Sequence, residues 1–359
     1  MALLRRYTLL VFLTPSIITM GLIIYMYIVT SQAAAMAASE AYFPVRLCNK
    51  CSEHFFNDFY SIKPNADICR KAYMTVVVMT HPDGVERRRI LRLMLRNPKL
   101  HRSRKINYVF VTGSSVARLE NHRLKKESED HGDILQFSLI DIHRNAALLS
   151  TLTFNHLIER CASLNENGID FVFKVEEDSY FNLELLGRKL DYLSPDEKIV
   201  GGRCQISKPE RNINDMAFIG DDVYPHEYFP VSCSKHAYVL SYKALVDIIK
   251  IAPNIPSVLH LEEVFITGLC RAAAGINFVN LTGFYWPSEP SVCQIDTAVV
   301  AIEHISEVAQ RELVQRLMLG RFPSIGCLIT IRVTFLSVVV IIALIFVVRT
   351  ACKKCCRNL

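Results

Sequence analysis

The sequence predicts an α/β domain with a mostly parallel sheet flanked by helices, placed between two apolar segments. The fold class follows from strands and helices that alternate along the chain from Tyr73 onward, because this alternation is typical of parallel sheets covered by helices. One apolar segment lies near each end of the 359-residue chain. Each is long enough to cross a bilayer, which takes roughly 20 residues. We therefore expect a transmembrane helix at each end of the folded part.

The two apolar segments run from about Leu9 to Val29 and from about Cys327 to Val348. Basic residues lie on their outer sides: Arg5, Arg6, Arg349, Lys353, Lys354 and Arg357. Because positive charge marks the cytosolic side of membrane spans, both termini are expected in the cytosol and the part between them in the lumen. A cleaved signal peptide is the alternative for the first segment, since the Ala-rich stretch at residues 31–39 is compatible with a cleavage site.

The chain then divides into five parts. Residues 1–30 form a cytosolic tail and membrane anchor, 31–70 an Ala-rich and then polar stem, 71–320 the lumenal domain, 327–348 the second span and 349–359 a cytosolic tail. A domain of about 250 residues can bury a sizeable core. The formal net charge of +6 comes partly from the residues that flank the membrane and partly from the stretch 87–105. In a lumenal protein we expect no nucleic-acid partner, and most of these charges fit a solvated helix face.

Within the lumenal domain, 74–80 and 106–112 are predicted strands, because continuous apolar runs are typical of buried parallel strands. A helix is predicted over 86–96, where Ile90, Leu91 and Leu95 recur at helical spacing. Further helices are predicted at 118–129, 146–161, 242–251 and 261–271, and further strands at 133–137, 171–175, 199–204, 237–241 and 298–302.

Three acidic residues, Glu176, Glu177 and Asp178, follow the predicted strand at Phe171–Val175. Carboxylates crowded at a strand end repel one another unless a cation lies among them. In an open α/β sheet this end of the strands is also where ligands bind. Oxygen ligands suit Mn²⁺ or Mg²⁺, which usually bridge to a substrate's phosphates. The pattern indicates a divalent metal site; an exposed acidic turn is the alternative.

Several stretches follow one another in the order of one known family's motifs. Lys174–Asn182 reads K-V-E-E-D-S-Y-F-N, where the family has K-x-D-x-D-x-F/Y-x-N, and Leu261–Cys270 is similar to its E-D-V-Y-x-G-x-C segment. Other matches are Arg88 with Arg92 (R-x-x-I-R), residues 131–136, 141–145 and 224–241, and the spacing from Trp286 to Cys293. Over roughly residues 73–316 the chain thus resembles the inverting β-1,3-galactosyltransferases and β-1,3-N-acetylglucosaminyltransferases, glycosyltransferase family 31.

The resemblance implies a GT-A fold and a Golgi-membrane enzyme that uses Mn²⁺ and a UDP-sugar. It implies transfer of galactose from UDP-galactose to a glycan of a glycoprotein or glycolipid. Asp178 matches the family's metal-binding acid, and His304, or Glu303 after a shift of one residue, matches the late metal ligand. Glu263 matches the general base that takes the proton of the acceptor hydroxyl. The residues expected near the UDP-sugar are Arg88, Arg92, Glu176 and Glu177.

Lumenal cysteines are expected to form disulfides, because that compartment is oxidising. The family comparison implies the pairs Cys161–Cys233 and Cys270–Cys293. The chain also departs from the family pattern: Glu replaces Asp at Glu176 and Glu263, and residues 235–237 (K-H-A) replace a glycine-rich stretch beside the expected cleft. These changes motivate an alternative function, that of a weakly active or inactive glycosyltransferase-like binding protein or chaperone.

Overall fold

The computed structural model describes most of the chain between residues 60 and 319 and a short helical piece near the N-terminus. The described residues are 20–22, 24–27, 60–65, 68–69, 71–101, 104–162, 168–255, 260–285, 295 and 300–319. None of the helices in these ranges is both long enough and apolar enough to cross a bilayer. The predicted span at 327–348 lies outside the described residues, as does most of the span at 9–29, so both stay predictions.

The predicted α/β class is confirmed by a large central sheet. The strands are β1 (Tyr60–Ile62), β2 (Ala72–Met79), β3 (Ile106–Ser114), β4 (Ile134–Ile140), β5 (Ile169–Glu176), β6 (Tyr180–Phe181), β7 (Ile199–Gln205), β8 (Ser232–Ser241), β9 (Asn277–Asn280), β10 (Phe284–Tyr285) and β11 (Ala301–Ile302). Eight of them form one sheet in the order β1-β4-β3-β2-β5-β8-β7-β9. The four strands β4, β3, β2 and β5 are parallel, whereas β1 and β8 pair antiparallel with their neighbours, so the sheet is mixed.

Helices cover both faces of this sheet. They are α1 (Val85–Leu95), α2 (Arg118–His131), α3 (Ala146–Ala162), α4 (Leu183–Leu190), α5 (Tyr242–Ile251) and α6 (Glu307–Met318). Short 3₁₀ segments lie at Pro98–His101, His143–Asn145 and Ala252–Asn254, and a π-helix at Glu263–Cys270 continues into an α-helical turn at Arg271–Ala273. Side-chain caps explain several of the helix starts: Asn182 accepts a hydrogen bond from Leu185 N, and Ser306 accepts one from Ala309 N. The helix α6 was not predicted from the sequence.

The core has two layers, one on each face of the sheet. Alternate residues of β2 point to opposite faces, as expected for a strand. Val77 packs in the layer that contains α3 and α5, while Val76 and Val78 pack in the layer that contains α1 and α4. Because β2 and β5 are covered on both faces, they read as continuous apolar runs. Their buried position fixes the carboxyl ends where the site is built.

A second, three-stranded sheet has the order β10-β11-β6. In it, β11 pairs antiparallel with β6, so that Ala301 lies opposite Phe181 and Ile302 opposite Tyr180. Beyond the strand, Ile305 N donates a hydrogen bond of 2.8 Å to Asp178 O. This sheet therefore brings residues 303–306 beside the acidic turn, although they lie more than 120 residues away in the chain.

The structure contains the disulfides Cys69–Cys161 and Cys204–Cys233. The predicted pair Cys161–Cys233 is wrong, because the register of β7 and β8 puts Cys204 directly opposite Cys233. Cys161, near the end of α3, bonds instead to Cys69 just before β2. The predicted pair Cys270–Cys293 stays a prediction: among the described residues Cys270 has no disulfide partner, and it is buried in the core. Cys293 itself lies outside the described residues.

Candidate active site

A cleft of about 480 Å³ opens at the carboxyl ends of β2 and β5. Thr80 and His81 after β2, the acidic turn after β5, the loop that leads into α3, and part of β8 form its walls. Of the residues predicted for the site, Glu176, Glu177, Asp178 and His304 line this cleft. Arg88, Arg92 and Glu263 do not line it.

The acidic turn is held in place from two sides. On one side, Gln310 of α6 is fully buried, and its Nε2 donates hydrogen bonds of 2.6 Å to Glu177 O and 2.9 Å to Ser179 O. On the other side, Thr80 Oγ1 and His81 N donate hydrogen bonds to the Glu177 carboxylate. The carboxyls of this turn are thus positioned by contacts from β2 and α6, both distant in sequence.

The Glu177 carboxylate helps to hold the turn in place, because it is occupied by these hydrogen bonds. Its side chain is buried, and burial raises the pKa of Glu177 above its ordinary value. A Cβ on Gly84 would collide with the Glu177 carboxylate, so any other residue at this position would displace that carboxylate. Glu177 therefore locks the two neighbouring strand ends together.

Asp178 lies beside two histidines. His304 Nδ1 is 2.9 Å from Asp178 Oδ2, and the ring centroids of His304 and His236 are 4.0 Å apart. One ligand atom from each of these three residues lies within 4.8 Å of the others. Asp178 Oδ1 is buried and has no hydrogen-bond partner among the described residues. Donors on a common ion at about 2.1 Å lie about 3 Å or more apart. The donor set therefore fits a divalent cation.

The backbone of His304 has an uncommon conformation. Its φ of 53° lies in the left-handed region, which residues other than glycine rarely adopt. Such conformations cost of order 1–3 kcal/mol and are concentrated at functional sites. The hydrogen bond from Ile305 N to Asp178 O fixes the loop in this conformation. The backbone thus directs the imidazole of His304 at Asp178.

Glu303, the other residue considered for the late metal ligand, points elsewhere. It accepts a hydrogen bond of 2.7 Å from Ser234 Oγ, and Arg203 lies 3.7 Å away. Burial raises the pKa of Glu303. The geometry therefore places His304, and not Glu303, in the cluster with Asp178.

Lys174 organises a second set of carboxylates under the cleft. Its Nζ donates to Glu176 Oε1 at 2.5 Å, to Glu262 Oε2 at 3.1 Å and to the carbonyl of Lys235. Burial lowers the pKa of Lys174, but the two carboxylates outweigh burial and leave the pKa above its ordinary value. Glu262 also accepts a hydrogen bond from Tyr238 Oη. Both carboxylate oxygens of Glu262 therefore have hydrogen-bond partners.

Glu263 differs from its neighbour. It is half-buried at the start of the π-helix, and its Oε2 is buried without a hydrogen-bond partner among the described residues. Thr267 Oγ1 donates to Glu263 O at 2.6 Å and accepts a hydrogen bond of 2.8 Å from Cys233 N, which ties the π-helix to β8. π-Helical turns are frequent at functional sites. Of the two adjacent acids, Glu263 is the one with an uncommitted carboxylate oxygen.

Arg88 and Arg92 both form ion pairs with acidic side chains of the protein. Arg88 is fully buried and pairs with Glu127 at 2.7 Å, while also donating to the carbonyls of His81 and Pro82. Arg92 makes two hydrogen bonds with Asp133, of 2.9 and 2.8 Å, and one with Glu127. The structure thus brings neither guanidinium into the cleft. Arg88 supports the turn at 81–82 that forms one wall.

Two residues of the cleft were not assigned roles from the sequence. His236 was identified only as part of a stretch that replaces glycines, and His81 was not singled out. His81 lies 3.3 Å from Asp141, and this hydrogen bond raises the pKa of His81 to about 9. His81 is therefore a cation at neutral pH on the wall of the cleft. Burial, reinforced by the charges of His304 and Lys174, lowers the pKa of His236 to about 3. His236 is therefore neutral, which is the form that binds metals.

Comparison with known proteins agrees with the motifs. Human β-1,3-galactosyltransferase 2 is 28% identical over 216 residues, which cover 58% of this chain and 49% of the relative. Mouse β-1,3-galactosyltransferase 1 is 24% identical over 254 residues, covering 69% of this chain and 75% of the relative. The chain thus spans about half the length of the first of these relatives and three quarters of the second.

Among solved structures, a glycosyltransferase involved in the glycosylation of the major capsid of PBCV-1 aligns with 67% of this chain and 99% of its own length. The sequence identity is 10% and the TM-score 0.37. Mouse xyloside xylosyltransferase 1 aligns with 64% of this chain at 10% identity and a TM-score of 0.31. Likenesses at this level carry no inference about this chain.

The Galactosyltransferase family model matches residues 86–282, more than half of the chain. The matched region includes the acidic turn, Lys174 with its carboxylates, His236 and Glu263. The chain belongs to the galactosyltransferase family.

Proposed function

We propose that this protein is an inverting β-1,3-hexosyltransferase that transfers galactose from UDP-galactose to a glycan of a glycoprotein or glycolipid. The observation that carries the proposal is one cleft in which a set of potential metal ligands, Asp178 with His304, lies near a second group of carboxylates. Family membership supports the sugar-transfer chemistry, and the mixed α/β sheet supports a GT-A-like fold.

Inverting transfer is a single displacement at the anomeric carbon, and it needs a base for the acceptor hydroxyl. Glu263 does not line the cleft, but its charge acts to raise the pKa of His143 on the cleft wall, and its Oε2 has no hydrogen-bond partner among the described residues, so it is the acid that we propose for this role. Glu262 is a poor base, since Lys174 and Tyr238 already occupy its two oxygens. A positioned general base contributes about 10²–10⁴-fold to the rate. Glu263 would take the hydroxyl proton as the acceptor oxygen bonds to the sugar.

Asp178 and His304 would hold a divalent cation, for which the family resemblance implies Mn²⁺. When bound, the cation would neutralise the charge that builds up on the UDP leaving group. His81 would add a positive charge on the same wall of the cleft, because its pKa of about 9 keeps it protonated at neutral pH. Glu176, held by Lys174, would lie on the donor side of the cleft. Arg88 would act indirectly, by supporting the turn that carries His81.

We also propose a Golgi membrane location with a lumenal catalytic domain. The two apolar segments of the sequence, at about 9–29 and 327–348, support it. The disulfides Cys69–Cys161 and Cys204–Cys233 are compatible with it, because disulfides persist in oxidising compartments.

The experiment uses the purified full-length chain and measures UDP release from UDP-galactose, UDP-glucose and UDP-N-acetylglucosamine, with and without Mn²⁺ and a glycan acceptor. Metal-dependent release, highest with UDP-galactose, is expected. Asp178→Ala should reduce turnover about 100-fold or more, by analogy with the loss of a group that stabilises the transition state. Asp191→Ala is the matched control, since Asp191 pairs with Arg104 on the surface. Full turnover in Asp178→Ala would overturn the proposal.

The second candidate is a binding protein or chaperone that keeps the fold with little or no turnover. Glu in place of Asp at positions 176 and 263 favours it, because a displacement of about 1 Å in a catalytic group can cost about a hundredfold in rate. A folded protein that fails to release UDP from every donor tested would support this candidate. Transfer from any UDP-sugar would exclude it.

A further inference from the structure

We propose that His236 is a third protein ligand of the metal and gives the site a marked preference for Zn²⁺ or Co²⁺ over Mn²⁺ and Mg²⁺. The inference rests on the metal site of the proposed function and concerns which ion occupies it. It predicts a donor set of two imidazoles and one carboxylate, from His236, His304 and Asp178.

The position of His236 is set by the central sheet. In the antiparallel pairing of β5 and β8, Val175 lies opposite Ala237, so His236 comes next to the end of β5 where the acidic turn begins. His236 is 4% exposed, and the strand that carries it pairs with β5 as far as Ala237 and with β7 on both sides of a register shift at residues 234–237. A buried side chain on a central strand has little freedom to move away from the cluster. The fold therefore holds the imidazole of His236 against the site.

The geometry of the two rings agrees with shared ligation. His236 and His304 approach each other edge to face, at an interplanar angle of 65°. His304 Nδ1 is 2.9 Å from Asp178 Oδ2, so the two atoms need to separate by only a few tenths of an ångström to reach the roughly 3.3 Å between two ligands of a tetrahedral ion. Because one donor atom from each of the three residues lies within 4.8 Å of the others, small shifts of the side chains bring all three within reach of a single ion.

The types of donor atom determine which metal ion the site prefers. Carboxylate and water oxygens suit Mg²⁺ and Mn²⁺, whereas imidazole nitrogens suit Zn²⁺ and the later first-row ions. For a given nitrogen- and oxygen-containing site, affinity rises from Mn²⁺ to Co²⁺ and beyond. A second imidazole strengthens this bias. The residues of the chain itself thus favour an ion different from the Mn²⁺ implied by the family resemblance.

The test titrates the metal-free full-length chain with ZnCl₂ or MnCl₂ alone and measures affinity by calorimetry. Loss of an outer-shell partner costs about 10–100-fold in metal affinity, so loss of a direct ligand should cost about 100-fold or more. We expect His236→Ala to lower Zn²⁺ affinity by that factor and to lower Mn²⁺ affinity much less. His143→Ala is the matched control, a histidine that lines the same cleft outside the ligand group. It should bind Zn²⁺ as the wild type does.

Unchanged Zn²⁺ affinity in His236→Ala, or an equal loss for both ions, would overturn the inference. If that variant does not fold, X-ray absorption at the zinc edge of the loaded wild type counts the imidazoles directly. Two imidazoles support the inference and one overturns it. None of these measurements requires a sugar nucleotide, so a failure here is distinguishable from a failure to transfer sugar.

Discussion

Lys174 and Glu262 form an ion pair beneath the cleft, with Nζ 3.1 Å from Oε2 and with 1% and 2% of the two side chains exposed. Lys174 also pairs with Glu176, so one buried ammonium holds two carboxylates of the site. A buried charge that loses its partner is far more costly than a surface charge, because water cannot replace the lost interaction. This pair therefore links the stability of the domain to the shape of the cleft.

Replacing Glu262 should test this link. Glu262→Leu removes one of the two carboxylates on Lys174 and the acceptor of the Tyr238 hydroxyl, and we expect a loss of about 3 kcal/mol in the free energy of unfolding. The measurement is urea denaturation followed by circular dichroism. Glu227→Leu is the control, because Glu227 pairs with Lys208 on the surface and should change stability by about 0.5 kcal/mol or less. Equal effects of the two variants would contradict the prediction.

The neighbouring acid should behave differently. Glu263→Gln keeps the size of the side chain and removes the basic oxygen, so we expect kcat to fall by about 10²–10⁴-fold. The melting temperature and its increase on addition of UDP with metal should be retained, because the fold and the ligand cluster are unaltered. Steady-state kinetics and a thermal melt check the two parts. A kcat close to that of the wild type would remove Glu263 from the role of base.

Arg92 should matter for stability and not for the metal. Arg92→Leu leaves the buried Asp133 without its two-pronged partner, and we expect a loss of about 3–5 kcal/mol in unfolding free energy. Affinity for the metal should stay within about twofold of the wild type at temperatures where the variant is folded, since Arg92 does not line the cleft. The control on the same helix is Arg89→Leu, whose partner Glu86 is at the surface. A loss of metal affinity specific to Arg92→Leu would contradict this role.

His81 should lose its proton at a higher pH than an ordinary histidine. Its pKa is raised to about 9 by the hydrogen bond to Asp141, so the favourable interaction is complete below the ordinary value of 6.5 and is lost as the pH rises through about 9. The histidine resonances of the full-length chain, followed by NMR from pH 5 to 10, should show this midpoint. In Asp141→Asn the midpoint should fall toward 6.5. Because the His81 side chain is largely exposed, the effect on global stability should be small.

The local pattern of apolar and polar residues was sufficient to predict most of the fold. The runs that became β2, β3 and β5 are buried on both faces, so their apolar character is visible without tertiary information. The helix α5 was predicted over residues 242–251, where it occurs, and the structure shows that it begins at a serine cap and buries one apolar face. The helix α6 was missed, because few of its residues are buried and the apolar spacing is weak.

The site could be predicted only in part. The acidic turn could be predicted because three adjacent carboxylates are unusual. The different contacts that each of the three carboxylates makes could not be predicted. The Glu177 carboxylate accepts hydrogen bonds from Thr80 and His81 in the interior of the domain. Asp178 contacts His304 only because β11 pairs with β6. The disulfide error has a similar cause: Cys233 bonds to Cys204 because of a strand register that no local spacing encodes.

The left-handed backbone at His304 determines how this residue should be deleted. Alanine in that conformation carries the steric cost of its Cβ, roughly 1–2 kcal/mol, whereas glycine adopts it freely. His304→Gly therefore removes the imidazole and also relieves the loop, and His304→Asn preserves the turn while shortening the reach. His304→Ala keeps the Cβ cost that histidine already carries and removes only the imidazole, whereas His304→Gly makes both changes, so the alanine and glycine variants together separate coordination from conformation.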